Sequence, residues 1–363
     1  MSARTRVSAP AAARRSSAVP PGGTRTLRLG SKLSIRYRRR SLFLSVLLAV
    51  AVLLVGAFTL TAGKLGLSWT ELLALAVSPP EGSGAFVLER LRGPRFLTAV
   101  GAGMALGVAG SLFQTVTRNP LGSPEVVGLT SGAAAGAAAT ALWPGYVPVP
   151  VAAILGGGLA VALVWLGTGR GFARPGKMIV AGIGISAVAS ALTSLAMTTL
   201  GEQQAQTLAF YLNGSLASRS WSHVATIGIA VAVVLPAAAA LQRRLDLVAL
   251  GDELAESLGV RVDRTRTVAV LLAVVLAATA VSVCGPVAFV ALVAPQIALR
   301  LLGTSSPGVV APALVGALVL TLSDFTVQQI DVGPALPVGI FTAGLGSLYL
   351  GWLLWTEARK GLF

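Results

Sequence analysis

Few residues in this 363-residue chain are equipped for covalent chemistry. His223 is the only histidine and Cys284 the only cysteine. One of each excludes an internal disulfide and a Cys-based zinc or iron–sulfur site, and it leaves Ser-His or Cys-His catalysis poorly supplied. His223 follows Trp221 by two residues at the mouth of an apolar run, where an interfacial side chain is expected. Gly171-Phe-Ala-Arg-Pro-Gly176-Lys177 copies the Walker A spacing, but Met178 stands where Ser or Thr should hold magnesium, and no strand precedes it. Gly182-Ile-Gly184 lies inside an apolar segment, which speaks against a dinucleotide fold. Nucleotide chemistry, if any, belongs to another chain.

What remains is charge. Residues 246–266, DLVALGDELAESLGVRVDRTR, hold Asp246, Asp252, Glu253, Glu256 and Asp263, with Arg261, Arg264 and Arg266 at their end. Leu250, Leu254 and Leu258 recur every four residues, so a short helix would carry a leucine face flanked by acids. Such a helix either docks a partner or is an ordinary amphipathic surface element. Thr117-Arg118-Asn119-Pro120-Leu121-Gly122 reads as a tight turn. The Arg90, Arg92 and Arg95 cluster precedes a span and suits either an acidic partner or interfacial snorkelling. Asp324 is the one acid within a span interior, with no second carboxylate near it in sequence, so an ion-coupled carrier is poorly provided for.

The elements that position these residues are membrane helices. The chain is 55% hydrophobic before its 42 glycines are counted and only 11% charged, too little ionisable surface for a soluble enzyme of this length. Apolar stretches near 41–63, 96–116, 126–143, 147–168, 178–200, 221–242, 267–284, 287–302, 308–329 and 335–356 predict an all-α polytopic membrane protein with about ten transmembrane helices. The 126–143 and 287–302 segments are the weakest, the latter following a Gly285-Pro286 break. Arg39-Arg40-Ser41-Leu42-Phe43 loosely resembles a twin-arginine signal, but the run behind it is too long for a signal core and reads as an uncleaved span. Gly103/Gly107 and Gly132/Gly136 form GxxxG pairs and Gly156-Gly157-Gly158 adds small surface, so a tight bundle is expected.

Net charge is +15, and residues 1–40 supply 11 basic residues and no acid. These residues are expected to form a disordered cytoplasmic tail facing lipid rather than nucleic acid. A ten-helix transmembrane domain over 41–356 and a short 357–363 cytoplasmic tail would follow. With ten spans, 23 basic residues fall in the N-terminal side's loops and tails and five in the opposite loops, which places both termini in the cytoplasm.

Several motifs are familiar in order and spacing. Arg92-Gly-Pro-Arg95, Gly107-Val-Ala-Gly110-Ser-Leu-Phe-Gln114, Arg118-Asn119-Pro120-Leu121-Gly-Ser-Pro124 and Gly128-Leu-Thr-Ser131-Gly132 resemble the first half of FecCD-family permeases. Asn213-Gly214-Ser215-Leu216, Leu250-Gly251-Asp252 with Ser257-Leu258-Gly259-Val260, Gly285-Pro286-Val-Ala-Phe289 and Leu336-Pro337-Val-Gly339 continue the match over residues 41–356. The resemblance implies the cobalamin/iron–siderophore importer permease fold of type II ABC importers. A second permease, identical or different, two cytoplasmic ATPases and an extracytoplasmic binding protein would be its partners in the inner membrane. The cargo implied is an iron–siderophore complex, with haem or cobalamin as the alternative and a stand-alone secondary carrier as the rival class. The chain itself would bind no cofactor and carry no ATPase site, ATP and magnesium being used by the partner. The resemblance also implies ATPase coupling by Leu250, Gly251, Asp252, Glu253, Leu254, Leu258 and Gly259, a cytoplasmic gate at Asn119, Pro120 and Leu121, and docking of the binding protein on Arg92 and Arg95. Gln296, Gln328 and Ala335 depart from the family pattern.

Overall fold

The computed structural model describes residues 24–29, 33–63, 66–74, 82–142, 147–169, 171–172, 174–304, 306–330 and 336–359. Ala335 and the ends of both tails lie outside them. Among the described residues, seven helices are long and apolar enough to cross a membrane, and three shorter apolar helices complete the ten expected spans. In chain order they begin with α1 (Arg39–Thr61), after which come the short α2 (Trp69–Ala74) and α3 (Ser83–Phe86). A π-helical turn, Val87–Arg92, leads into α4 (Gly93–Thr117). A 3₁₀ turn at Pro124–Val127 precedes α5 (Leu129–Leu142), followed by α6 (Val149–Gly167) and α7 (Pro175–Thr199). The helix α8 (Glu202–Leu212) follows, then α9 (Trp221–Ala249), the short α10 (Asp252–Ser257) and α11 (Val262–Cys284). The last three are α12 (Val290–Leu302), α13 (Val310–Gln329) and α14 (Val338–Arg359).

Burial sorts the helices into a centre and a rim. Along α1, Leu48, Val52, Gly56 and Thr59 form a narrow buried stripe while Val46, Leu47, Val50, Leu53, Leu54 and Phe58 are exposed, as suits a helix bathed in lipid. Helix α4 is buried along nearly its whole length and packs on α9, α11, α12 and α13. Lipid tails are as apolar as leucine, so helices in a bilayer associate through close packing of small residues rather than through hydrophobic burial. The expected glycine pairs do this. A Cβ at Gly103 would lie 2.4 Å from the Gly316 carbonyl oxygen, and one at Gly107 would lie 2.1 Å from that of Pro312, so α4 and α13 meet backbone to backbone. Gly132 and Gly136 meet α6 in the same way, at Gly156 and Ala152. Gly158 faces open space and takes no part.

Helix α12 is shorter than expected. Its 13 residues rise about 20 Å, less than a hydrocarbon core of roughly 30 Å. The Gly285-Pro286 break is followed by non-helical chain up to Phe289, with Gly285 at φ 73° and Phe289 at φ 68°. That backbone lies packed inside protein, a Cβ at Gly214 falling 2.3 Å from the Pro286 carbonyl oxygen. Ser215 N–H donates to the Cys284 carbonyl at 2.8 Å, and a Cβ on Gly339 would lie 1.9 Å from the Asn213 carbonyl oxygen.

The N-terminal tail, expected to be disordered, contains an antiparallel hairpin of β1 (Thr24–Leu29) and β2 (Leu33–Arg38), with Leu27 opposite Ile35 and Arg25 opposite Tyr37. Leu33-Ser-Ile-Arg-Tyr-Arg38 alternates apolar and polar residues with strand-favouring types, and Gly30-Ser31-Lys32 lies between the strands. At the other terminus α14 continues through Arg359, into the segment expected to be tail.

Candidate functional site

The functional candidates fall at two ends of the bundle. The basic-rich end is organised around Asp252. Helix α4 stops at Arg118, whose left-handed backbone (φ 49°) turns the chain into Asn119-Pro120-Leu121-Gly122. Asn119 holds that turn closed, its Oδ1 accepting from Leu121 N–H at 2.9 Å and its carbonyl from Gly122 N–H at 3.0 Å. The Arg118 guanidinium reaches the end of α9, donating to the Val248 carbonyl and forming an ion pair with Asp252. Arg266 on α11 grips the same carboxylate from the other side at 2.8 and 3.0 Å. Burial alone would raise the Asp252 pKa, but the hydrogen bonds and charges of Arg118 and Arg266 outweigh it and hold the carboxyl below its ordinary value.

The three leucines are exposed but do not share one helix: Leu250 caps the end of α9, Leu254 alone lies within α10, and Leu258 follows its last turn. Gly251, at φ 135°, breaks the chain between α9 and α10, a conformation that only glycine adopts readily. Ala255 is fully buried in a small apolar cluster with Val248, Val260 and Val262, which seats α10 on the bundle. Leu250, Leu254 and Leu258 stand outward at 68%, 48% and 57% exposure, and Glu253 and Gly259 are exposed beside them. Such apolar residues, outside any span and opposite the anchored face, form a surface made to be covered.

Asn119 and Pro120 line a cleft of about 250 Å³ together with Gln114, Arg118, Gln296 and Ser306, while Leu121 projects from the turn at 43% exposure. The floor of this cleft is a buried amide pair. Gln296 donates to Gln114 Oε1 at 2.7 Å, and Gln114 donates to the Leu292 carbonyl at 2.9 Å. The Gln296 departure therefore has a partner supplied by α4.

At the basic-poor end the arginines are turned inward. Arg95 makes a forked contact with Asp324 of α13, through Nη2 at 2.7 Å and Nε at 3.0 and 3.1 Å, and Gln328 donates to the same carboxylate at 2.8 Å. Arg92 donates to the Thr59 carbonyl at 2.6 Å. The expectation that Arg92 and Arg95 both present free charge to an acidic partner is corrected for Arg95. A carboxylate with 3% exposure needs a fixed cation, and Arg95 is the one that α4 places there. Arg90 is the exposed member of the cluster. His223 accepts from the Ser220 N–H at 3.2 Å while the Ser220 side chain accepts from the His223 backbone, a capping box that starts α9. Between this end's helices lies a cleft of about 550 Å³ lined by Thr140, Gln203, Gln204, Tyr211, Arg219 and Ser282, where the Tyr211 hydroxyl has no hydrogen-bond partner among the described residues. Sequence reasoning missed this cleft because α8, which builds one wall, is too short and glutamine-rich to register as a span.

A close-packed bundle of ten apolar helices, with a short anchored helix and exposed leucines at one end and polar clefts at both, defines a multi-pass membrane permease. The chain belongs to the FecCD transport family, whose model matches residues 44–356. It is 37% identical to the ferric enterobactin transport system permease protein FepG of Escherichia coli, over 89% of this chain and 98% of that protein. To the Fe(3+)-citrate import system permease protein YfmE of Bacillus subtilis it is 34% identical, over 91% and 99%. Among solved structures, an inward-facing ABC transporter described as of metal-chelate type superposes with a TM-score of 0.77 at 26% identity, covering 86% of this chain and 99% of that one.

Proposed function

We propose that the chain is the permease subunit of an ATP-binding-cassette importer that moves iron–siderophore complexes into the cytoplasm. It would pair with a second permease, two cytoplasmic ATPases and an extracytoplasmic binding protein, with the basic-rich end and both termini in the cytoplasm. Relatives named for ferric enterobactin and ferric citrate support the cargo. The observation that carries the reading is α10. It exposes Leu254, flanked by the exposed Leu250 and Leu258, on a base tied by Asp252 to the Arg118–Leu121 turn, so a partner that moves α10 would move the turn lining the cleft. A coupling element must make contacts that differ between two states, and this network ties the exposed leucine of α10 to the turn that would form the gate. At the opposite end Arg90, rather than Arg95, is the exposed charge that would meet an acidic binding protein, with Arg92 half-buried and donating to the Thr59 carbonyl.

Two measurements test the reading. Replacing Leu254 with Asp places a charge in the apolar contact, which costs several kcal/mol if the residue is covered. The variant is expected to insert normally, to lose co-purification with the ATPase, and to reduce ferric-siderophore uptake to background. Wild-type assembly and uptake in Leu254→Asp would refute the coupling role. Normal uptake of ferric siderophores in a deletion strain that fails to take up haem or cobalamin would reassign the cargo.

A further inference from the structure

Beside the coupling network, the basic-rich end holds a second cationic feature whose arginines the transport reading does not use. Between the last turns of α9 and the first turn of α11 lies a cavity of about 500 Å³ lined by Arg244, Arg261, Arg264 and Thr265, with Leu241, Val260 and Val268 as its apolar lining and Gly259, the last residue of the coupling segment, at its edge. No acidic residue lines it. Asp263, between two of the arginines in sequence, is exposed outside it, and Asp246 is engaged by Gln242 and Ser306. Arg95, Arg118 and Arg266 each hold a carboxylate, whereas Arg244, Arg261 and Arg264 form no ion pair among the described residues. Arg261 caps the start of α11 and Arg264 lies in its first turn, at the positive end of the helix dipole, where cations are disfavoured. Three gathered cations and the dipole together call for an anion.

The surroundings select which anion. Four and three residues at a time along α9 from Arg244, the exposed positions are Ala240, Ala237, Val233 and Ile229. From Arg264 along α11 they are Val268, Leu271 and Val275. Two exposed apolar stripes thus run from the cavity along spanning helices into the depth of the bilayer. A water-soluble partner cannot follow them, but an acyl chain can. We propose that this cavity seats the phosphate of an anionic membrane phospholipid, whose chains lie along the α9 and α11 stripes. Arginine suits the role, because its planar fork donates two hydrogen bonds to a phosphate and is less strongly hydrated than an ammonium. Basic pockets between helices on the cytoplasmic side are where lipid headgroups bind. Val260 belongs both to the cavity lining and to the apolar cluster that seats α10, so a bound headgroup would brace the base of that helix.

The site can be tested on the full-length permease, purified and stripped of lipid, by native mass spectrometry with phosphatidylglycerol or phosphatidylcholine added back. The wild type is expected to hold one phosphatidylglycerol per chain at collision energies that remove phosphatidylcholine. Retention should fall about tenfold or more in Arg244→Gln/Arg261→Gln/Arg264→Gln, by loss of charge-assisted contacts to phosphate. Arg243→Gln, a neighbouring exposed cation outside the cavity, should behave as wild type. If the triple variant does not accumulate, Arg261→Gln and Arg264→Gln singly, at exposed positions, carry the same comparison with a smaller loss. Undiminished retention in the variants, equal retention of phosphatidylcholine, or equal loss in Arg243→Gln would each overturn the proposal. So would displacement of the lipid by millimolar inorganic phosphate, which would mark a soluble-anion site. Loss of ATPase co-purification with lipid retention intact would give the surface to a protein partner instead. The lipid-retention outcomes depend neither on the cargo nor on the role of α10.

Discussion

Both ends of the bundle use an aspartate held by arginine, and they use it oppositely. Asp324 has 3% of its side chain exposed and Arg95 has 21%, while Asp252 and Arg118 stand at 43% and 38%. The first pair sits between two spanning helices that already touch backbone to backbone. The second is shared among three segments: the turn after α4, the start of α10 and the start of α11. In a low-dielectric interior an ion pair is all or nothing, because separating it strands a charge. Near solvent the same contact is weak enough to be remade at thermal cost. Fixed electrostatics therefore belong to the end that holds the helices in register, and adjustable electrostatics to the end where, on the proposed function, motion would be passed on.

The largest effect should come from the buried pair. Asp324→Ala leaves Arg95 without its carboxylate and should cost roughly 3 to 5 kcal/mol. The expected outcome is a marked loss of monodisperse permease on size exclusion and a much lower thermal midpoint in detergent. Restoring apolar balance with Arg95→Met in the same chain should recover most of it. A double variant no better than Asp324→Ala would mean that the pair does not act as a unit.

An intermediate effect is expected at the open network. Asp252→Ala removes the hydrogen bonds from Arg118 and Arg266, yet Ala255 and its apolar neighbours still seat α10. Discounted for solvent screening, the loss is about 1 to 2 kcal/mol. Folding and ATPase co-purification should survive, while uptake falls about tenfold with ATP hydrolysis retained, the signature of uncoupling rather than of lost docking. Unchanged uptake per ATP would show that the carboxylate only decorates the surface.

The contrast between the ends also explains what the sequence made legible. Ten spans could be read because bilayer thickness fixes helix length, and the glycine pairs because small residues at four-residue spacing have one use in a membrane. The exposure of Leu250, Leu254 and Leu258 was legible for the same local reason: helical period with no span to bury them. The pairings were not. Arg95 and Asp324 lie 229 residues apart, and Arg118 and Asp252 lie 134 apart, with no local pattern linking either pair. Arginines before a span look alike whether they face solvent or an unseen carboxylate, which is why Arg95 was expected on the docking surface. The Gly285-Pro286 break announced an irregular eighth span but could not say that α12 would begin only at Val290.

The smallest predicted effect is on pH dependence, and it separates the open network from a merely exposed acid. Because Asp252 is held below the ordinary carboxylate value, its contribution to the anchoring of α10 is fully present above the unfolded pKa of about 4. It is lost only as pH falls through the lower folded value. Amide exchange in residues 252–257, corrected for intrinsic rate, should thus be flat from pH 8 to 5 and should speed up only below about pH 4. In Asp252→Asn, which keeps one acceptor oxygen but no charge, exchange should be faster than wild type at neutral pH by a few-fold and should not change further on acidification. A wild-type transition between pH 5 and 7 would mean that another group controls the helix. An Asp252→Asn profile matching wild type at every pH would mean that Arg118 and Arg266 hold the segment through backbone contacts alone, and the two ends would then differ in exposure but not in kind.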